Sequence, residues 1–377
     1  MKTLSRLLVL AALATAFSLP AFAQDAAASP AGPCDEQART DLYTDYYNKK
    51  KTDQKAAYEV GKQYLGKYES CADKYTESVK KFVTLYEGAT RRFDFFNAYN
   101  AKDVAKTNSL AQQLLATDPN DAAVALLSAW GTYTGVTLKN PAATDADAVS
   151  LANRALDVIN SGKEPTDLNG KVSWAPFANR DDAVSYLNFA VASLELKTNT
   201  DDATKRLVQI AQNNGKAKEE PQVYSYLAFA YEKEAAPLLA KYKTFTVEND
   251  ESKLVLANLN QVIDRMIDAY ARAVAFSKDQ TQKTEFMTRL TELYKSRHED
   301  KTDGLDAMIA SIKAQPLLLT QPITSLPAAV PAPTPTDGAA ATTPAGTTVA
   351  APASSTAVKP APATTTTATN PPAKKKP

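Results

Sequence analysis

Proline does most to limit what this chain can become. Inside a helix it removes a backbone donor and clashes with the preceding turn. Only six prolines occur between Cys34 and Gln315: Pro119, Pro141, Pro165, Pro176, Pro221 and Pro237. Of the 22 in the chain, 13 lie from Pro316 onward. The first stretch can therefore hold long helices and the second cannot. In the first stretch, apolar residues recur at three- and four-residue spacing, and alternating β-branched runs are absent. With abundant Ala, Leu, Lys, Gln and Glu, this predicts an all-α body over 34–315.

The flanks have a different chemistry. Lys2 and Arg6 precede an apolar run from Leu7 to Phe17, and Ala21-Phe22-Ala23 follows. That order predicts a secretory signal peptide over 1–23, cleaved between Ala23 and Gln24. The competing reading is a buried N-terminal helix. The run is too short for a bilayer, which takes about 20 apolar residues. No lipid-anchor cysteine follows, because the first is Cys34 behind Gly32-Pro33. The mature chain is expected to have no transmembrane helix. Residues 24–33 read as a disordered spacer. Residues 316–377 read as a disordered Ala/Pro/Thr-rich tail, which from Pro327 to Pro377 has no aromatic residue and no periodic apolar face. Lys374, Lys375 and Lys376 could touch an anionic envelope polymer or simply solubilise the end. A signal and tail of this kind look bacterial, which places the product in the periplasm or outside the cell.

In an oxidising compartment two cysteines favour one disulfide, Cys34–Cys71, closing 37 positions of chain. Two unpaired buried thiols are the alternative. The net charge is +1, and removal of Lys2 and Arg6 with the signal makes it −1. No broad basic surface is left for a nucleic acid. The single histidine, His298, ends a helix where positive charge suits the dipole. The chain has no Gly-rich phosphate loop and no GxSxG elbow. No enzyme activity, metal or cofactor is expected. Asp181-Asp182 and Asp201-Asp202 read as caps or first-turn charges, and Lys49-Lys50-Lys51 and Arg91-Arg92 as solvated faces.

Periodicity predicts helices over 36–48, 53–68, 72–98, 102–116, 121–136, 145–160, 180–196, 201–213, 221–240, 252–277, 280–297 and 304–314. Asn120 or Asp121 suits the cap of the fifth. Asn160-Ser161-Gly162 and Asn213-Asn214-Gly215 close helices. Pro221 opens one, and Pro237 predicts a break or kink.

Three runs share one spacing: Val79, Phe82, Val83 and Tyr86; Tyr224, Leu227, Ala228 and Tyr231; Met287, Leu290, Thr291 and Tyr294. Following helices carry Ala148, Ala152 and Ala155-Leu156; Tyr270 and Ala273-Val274; and Leu114-Leu115 before Pro119. The chain here resembles the tetratricopeptide-repeat (TPR) family. That resemblance implies an antiparallel helix-pair α-solenoid over 34–315, with these positions packing repeats together. The 34-residue period is not kept, since Tyr231 and Tyr294 stand 63 positions apart. Pro165 to Pro176, with Trp174, and Lys241 to Asp250 read as insertions.

Aromatic residues exceed what one face can bury. Tyr43, Tyr46 and Tyr47 fall on the first helix; Phe93, Phe95, Phe96 and Tyr99 on the third. Most should pack internally, and some should line a binding face. The expected function is a non-enzymatic protein-protein interaction scaffold of the envelope, binding a protein or peptide on a concave surface. The alternative is a small-molecule or glycan binder whose ligand stacks on Trp130, Trp174 and tyrosines.

Overall fold

The computed structural model describes Cys34 and residues 37–326. The expected signal peptide, its cleavage point at Ala23 and Gln24, the spacer, and residues 327–377 of the tail lie outside the described residues. Twelve α-helices follow one another: α1 Gln37–Thr52, α2 Gln54–Tyr68, α3 Lys74–Asn100, α4 Val104–Thr117, α5 Ala122–Thr137, α6 Asp145–Asn160, α7 Arg180–Glu195, α8 Thr200–Gln212, α9 Pro221–Tyr242, α10 Asp250–Phe276, α11 Gln280–Arg297 and α12 Leu305–Ser311. Short 3-10 turns at Lys216–Glu219 and Ile312–Ala314 supplement them. The described chain is all-α, with one isolated bridge between Thr166 and Val172. From α1 to α6, and again from α8 to α11, helices adjacent in sequence pack on each other, as in an α-solenoid. Most are joined by short connections, which favour antiparallel neighbours, the exception being the 19 residues between α6 and α7.

Local chemistry explains the boundaries. Asp53, Asp73, Asp103, Asp121, Thr144, Asn199, Asn249 and Asp279 each accept a first-turn amide of the helix they open. Each such cap is worth about 1 kcal/mol. Asp121, not Asn120, caps α5. Gly162 takes φ +86° after α6, where a side chain would be strained. Pro221 is the first residue of α9. Pro237 does not break that helix, which continues to Tyr242. Pro237 and Lys233 are both exposed, so water can take the carbonyl that the proline leaves unbonded.

Two compact units divide the chain inside α7, one ending at Val191 and the other starting at Ala192. In the first, Tyr46, Ala57, Val60, Tyr64, Val79 and Val83 form one core beneath the Cys34–Cys71 disulfide, whose Cα atoms are 5.6 Å apart. Phe95, Leu115, Leu126, Leu156, Ile159 and Leu187 anchor a second core. In the other unit, Leu207, Tyr224, Leu227, Tyr231, Val262, Ile267 and Leu290 are buried as α8 to α11 pack in sequence and α12 packs on α10.

One close approach in the first unit is set by glycine. A Cβ on Gly61 would lie 2.9 Å from Val83 Cγ2 and 3.4 Å from Val79 Cγ1. Valine is stiff at χ1 and cannot swing aside. Gly61→Ala should therefore destabilise by about 1–3 kcal/mol through overpacking. Gly66, on the same helix with nothing within 4 Å, should gain about 0.5–1 kcal/mol as alanine. Urea unfolding of the two variants, followed by circular dichroism, tests the opposite signs.

Candidate functional site

In the second unit, α10 starts from a capping box in which Asn249 and Ser252 bond each other's backbone. From Leu254 to Ser277 no residue of this helix is exposed. Helices α9, α11 and α12 pack against it, and so does a segment that composition had assigned to the tail. Here the structure departs from the expected boundary at Pro316. Arg272 Nη2 donates to the carbonyls of Gln315 (3.0 Å) and Pro316 (2.7 Å). The Leu318 N–H donates to Asp268 Oδ2 (3.4 Å). The Ile323 N–H donates to Asn258 Oδ1 (2.8 Å), and Asn258 Nδ2 donates to the Ile323 carbonyl (2.9 Å).

These bonds define direction and pitch. Pro316 meets Arg272 and Ile323 meets Asn258, so the segment runs antiparallel to α10. Fourteen helical residues rise about 21 Å. Seven residues of polyproline II rise about 22 Å. The match explains how one helix side and one extended segment stay in step. Leu317, Thr320, Ile323 and Leu326 are half-buried, while the residues between them are exposed. A period of three fits the polyproline II repeat.

The anchor is a buried ion pair. Arg272 donates from Nε to Asp268 Oδ2 (2.9 Å) and from Nη2 to Asp268 Oδ1 (3.2 Å). The two side chains are only 5% and 7% exposed. The guanidinium also lies 6.0 Å from the centroid of the Tyr224 ring. Burial pushes the Tyr224 hydroxyl up to about 12, against the Arg272 charge, which favours the phenolate. Tyr224 therefore stays protonated and donates to the Lys218 carbonyl (2.7 Å). Burial, and then the Glu232 carboxylate, likewise raise Tyr270, which donates to Glu232 (3.3 Å).

A cavity of about 240 Å³ lies in the first unit, between Phe96, Tyr99 and Asn100 of α3, Leu126 and Leu127 of α5, and the loop residues Pro165, Thr166, Asp167, Ser173, Ala175 and Pro176. Neither Trp130 nor Trp174 lines it. Trp130 packs against Tyr133, Phe177 and Tyr186, and Trp174 against the second core. Arg92 corrects the expectation of a solvated face. It bonds Asp121 and the Thr166 carbonyl (2.9 Å), tying the loop to α3 and α5. Burial lowers the pKa of its guanidinium.

The remaining sequence-derived positions fall as follows. Val79, Val83, Tyr224, Leu227, Ala228, Tyr231, Ala273, Leu290 and Tyr294 are buried; Phe82, Tyr86, Tyr270 and Met287 are half-buried. Met287 borders an open groove of about 560 Å³ along α11. Tyr46 and Phe95 are fully buried, whereas Tyr47 and Phe93 keep 37% and 36% exposure. His298 is the exposed C-cap of α11 and stacks on Tyr294, ring centroids 3.9 Å apart. Asp181-Asp182 and Asp201-Asp202 lie in the first turns of α7 and α8. Lys49 pairs with Asp45, while Lys50 and Lys51 lie over the rings of Tyr46 and Tyr47. Among the described residues no group of three or more His, Cys, Asp or Glu could hold a metal, and no helix is long and apolar enough to cross a membrane.

Sequence reasoning missed Asn258, Asp268, Arg272 and the segment they hold. A charged pair four residues apart inside an otherwise apolar run was the available signal. No protein-family model matches the chain, and no curated protein or solved structure matches it.

Proposed function

We propose that this is a non-enzymatic binding protein of the bacterial cell envelope, built on TPR-like helix pairs, that recognises a protein or peptide through its helical surface. One observation carries the reading. The α10 side chains Asn258, Asp268 and Arg272 hold an extended segment by its backbone. Backbone recognition of extended chain is a peptide-binding mode that needs no reactive group. Export is supported by the Cys34–Cys71 disulfide, which suits an oxidising compartment.

The small-molecule or glycan reading has less behind it. The cavity beside Tyr99 has about 240 Å³, below the roughly 300–1,000 Å³ of ordinary ligand pockets, and the open groove of about 560 Å³ is lined by α11 alone, with no aromatic residue to stack on. The aromatic residues offered for stacking pack on one another.

A photo-crosslinking residue tests the binding reading in intact envelopes. At Gln261, half-buried on α10 one turn after Asn258 and two turns before Asp268, it should give a discrete crosslinked product. At Leu138, 68% exposed in the first unit, it should give none of that product. No discrete product from Gln261, or the same product from both positions, would count against a specific binding surface.

A further inference from the structure

All the hydrogen bonds described between α10 and residues 315–323 end on backbone atoms of the segment. Recognition of this kind does not depend on which side chains the segment carries. It asks for N–H groups at two places only, Leu318 and Ile323. Proline is thus admitted between and around them, and Pro316 and Pro322 stand where no donor is needed. Charge is not asked for either, because Asp268 and Arg272 already neutralise each other. Residues 314–326 carry no charged side chain.

The resident segment is also loosely seated. Its inward side chains are only half-buried, and Leu318 and Leu319 are 38% and 47% exposed. The Thr320 hydroxyl is buried without a hydrogen-bond partner. A buried unsatisfied hydroxyl weakens the fit. Segments with few buried apolar contacts open more readily than the core beneath them.

We propose that the groove along α10 is a site for an uncharged, proline-containing peptide in polyproline II form, which residues 315–323 occupy in cis and which a partner segment of the same chemistry occupies in trans. The proposal rests on the peptide-binding reading above and names its site and ligand class. Opening of the resident segment uncovers Asn258 and Arg272, and the incoming chain takes over their bonds in the same antiparallel register. A preformed polyproline II segment loses little entropy in doing so.

The test uses the full chain and a fluorescent synthetic peptide with the sequence of residues 314–326. In a full-length variant carrying Leu317→Glu and Ile323→Glu, charges at two half-buried positions should expel the resident segment. The peptide should bind this variant at least tenfold more tightly than the unsubstituted chain. Adding Asn258→Ala should weaken binding about tenfold, the worth of one or two hydrogen bonds. A peptide with Thr320→Val should bind several-fold more tightly, because it removes the unpaired hydroxyl.

On the unsubstituted chain, saturating peptide should speed amide exchange at Leu318 and Ile323. This readout does not depend on the folding of any variant. The proposal is overturned if exchange there does not change, if Asn258→Ala leaves binding unaltered, or if the Val peptide binds no better. Concentration-dependent dimerisation without peptide uptake would assign the groove to the segment of a second copy and would also overturn it. Peptide binding without a crosslinked envelope partner would uphold the site and count against the proposed function. A crosslinked partner without peptide binding would do the reverse.

Discussion

Arg272→Ala is expected to lower stability in the second unit by about 3–5 kcal/mol, the cost of breaking a buried ion pair by removing one partner. The loss has three physical parts. Asp268 is left buried without its counter-charge. The carbonyls of Gln315 and Pro316 lose their donor. The Tyr224 ring loses the cation 6.0 Å from its centroid. Replacing both partners by apolar residues, as in Asp268→Leu with Arg272→Met, should recover much of the loss, since no buried charge remains. Urea unfolding followed by circular dichroism gives the magnitude. Amide exchange in α10 and at Leu318 gives the location. A loss under about 1 kcal/mol would mean that water reaches the pair.

Loss of the Cys34–Cys71 bond should cost about 3–4 kcal/mol in the chain-entropy account of a 37-position loop. The place where it is felt follows from the packing. Helix α1 buries only Tyr46 completely, and it is held to α2 and α3 from one side. Arg39 on that helix bonds the Cys34 carbonyl, the Tyr64 hydroxyl and Asp73, and none of these contacts uses a cysteine sulfur. Cys34→Ser with Cys71→Ser should therefore leave a folded chain whose α1 amides exchange fastest. Unchanged unfolding midpoints with and without reductant would contradict the estimate. Both tryptophans, Trp130 and Trp174, lie in the first unit, so their fluorescence reports that unit during the same titration.

The helices themselves were legible because their signals are local. Apolar spacing, Asp and Asn caps and proline positions lie within a turn or two of the boundaries they set. The α6 and α11 limits coincide with those expected. Pro237 is the instructive exception. Its effect depends on whether water reaches the carbonyl it frees, and the exposure of α9 at that point decides this. Arg92 failed for the same kind of reason. Beside Arg91 it reads as surface charge, yet Asp121 and Thr166 enclose it from 29 and 74 positions away.

The candidate site was the least legible part. Composition marks residues 316–323 as unable to fold by themselves, and that judgement is sound for an isolated segment. Their order comes from Asn258, Asp268 and Arg272, which stand 44 to 65 positions earlier in the chain. The sequence by itself determined the helical body, the positions of its helices and the pairing partner of each cysteine, because periodicity, capping and a single even pair are readable one segment at a time. Only the tertiary structure decided where the fold ends and what α10 holds, because a backbone that carries no side-chain signature is ordered by donors and acceptors that the fold brings to it.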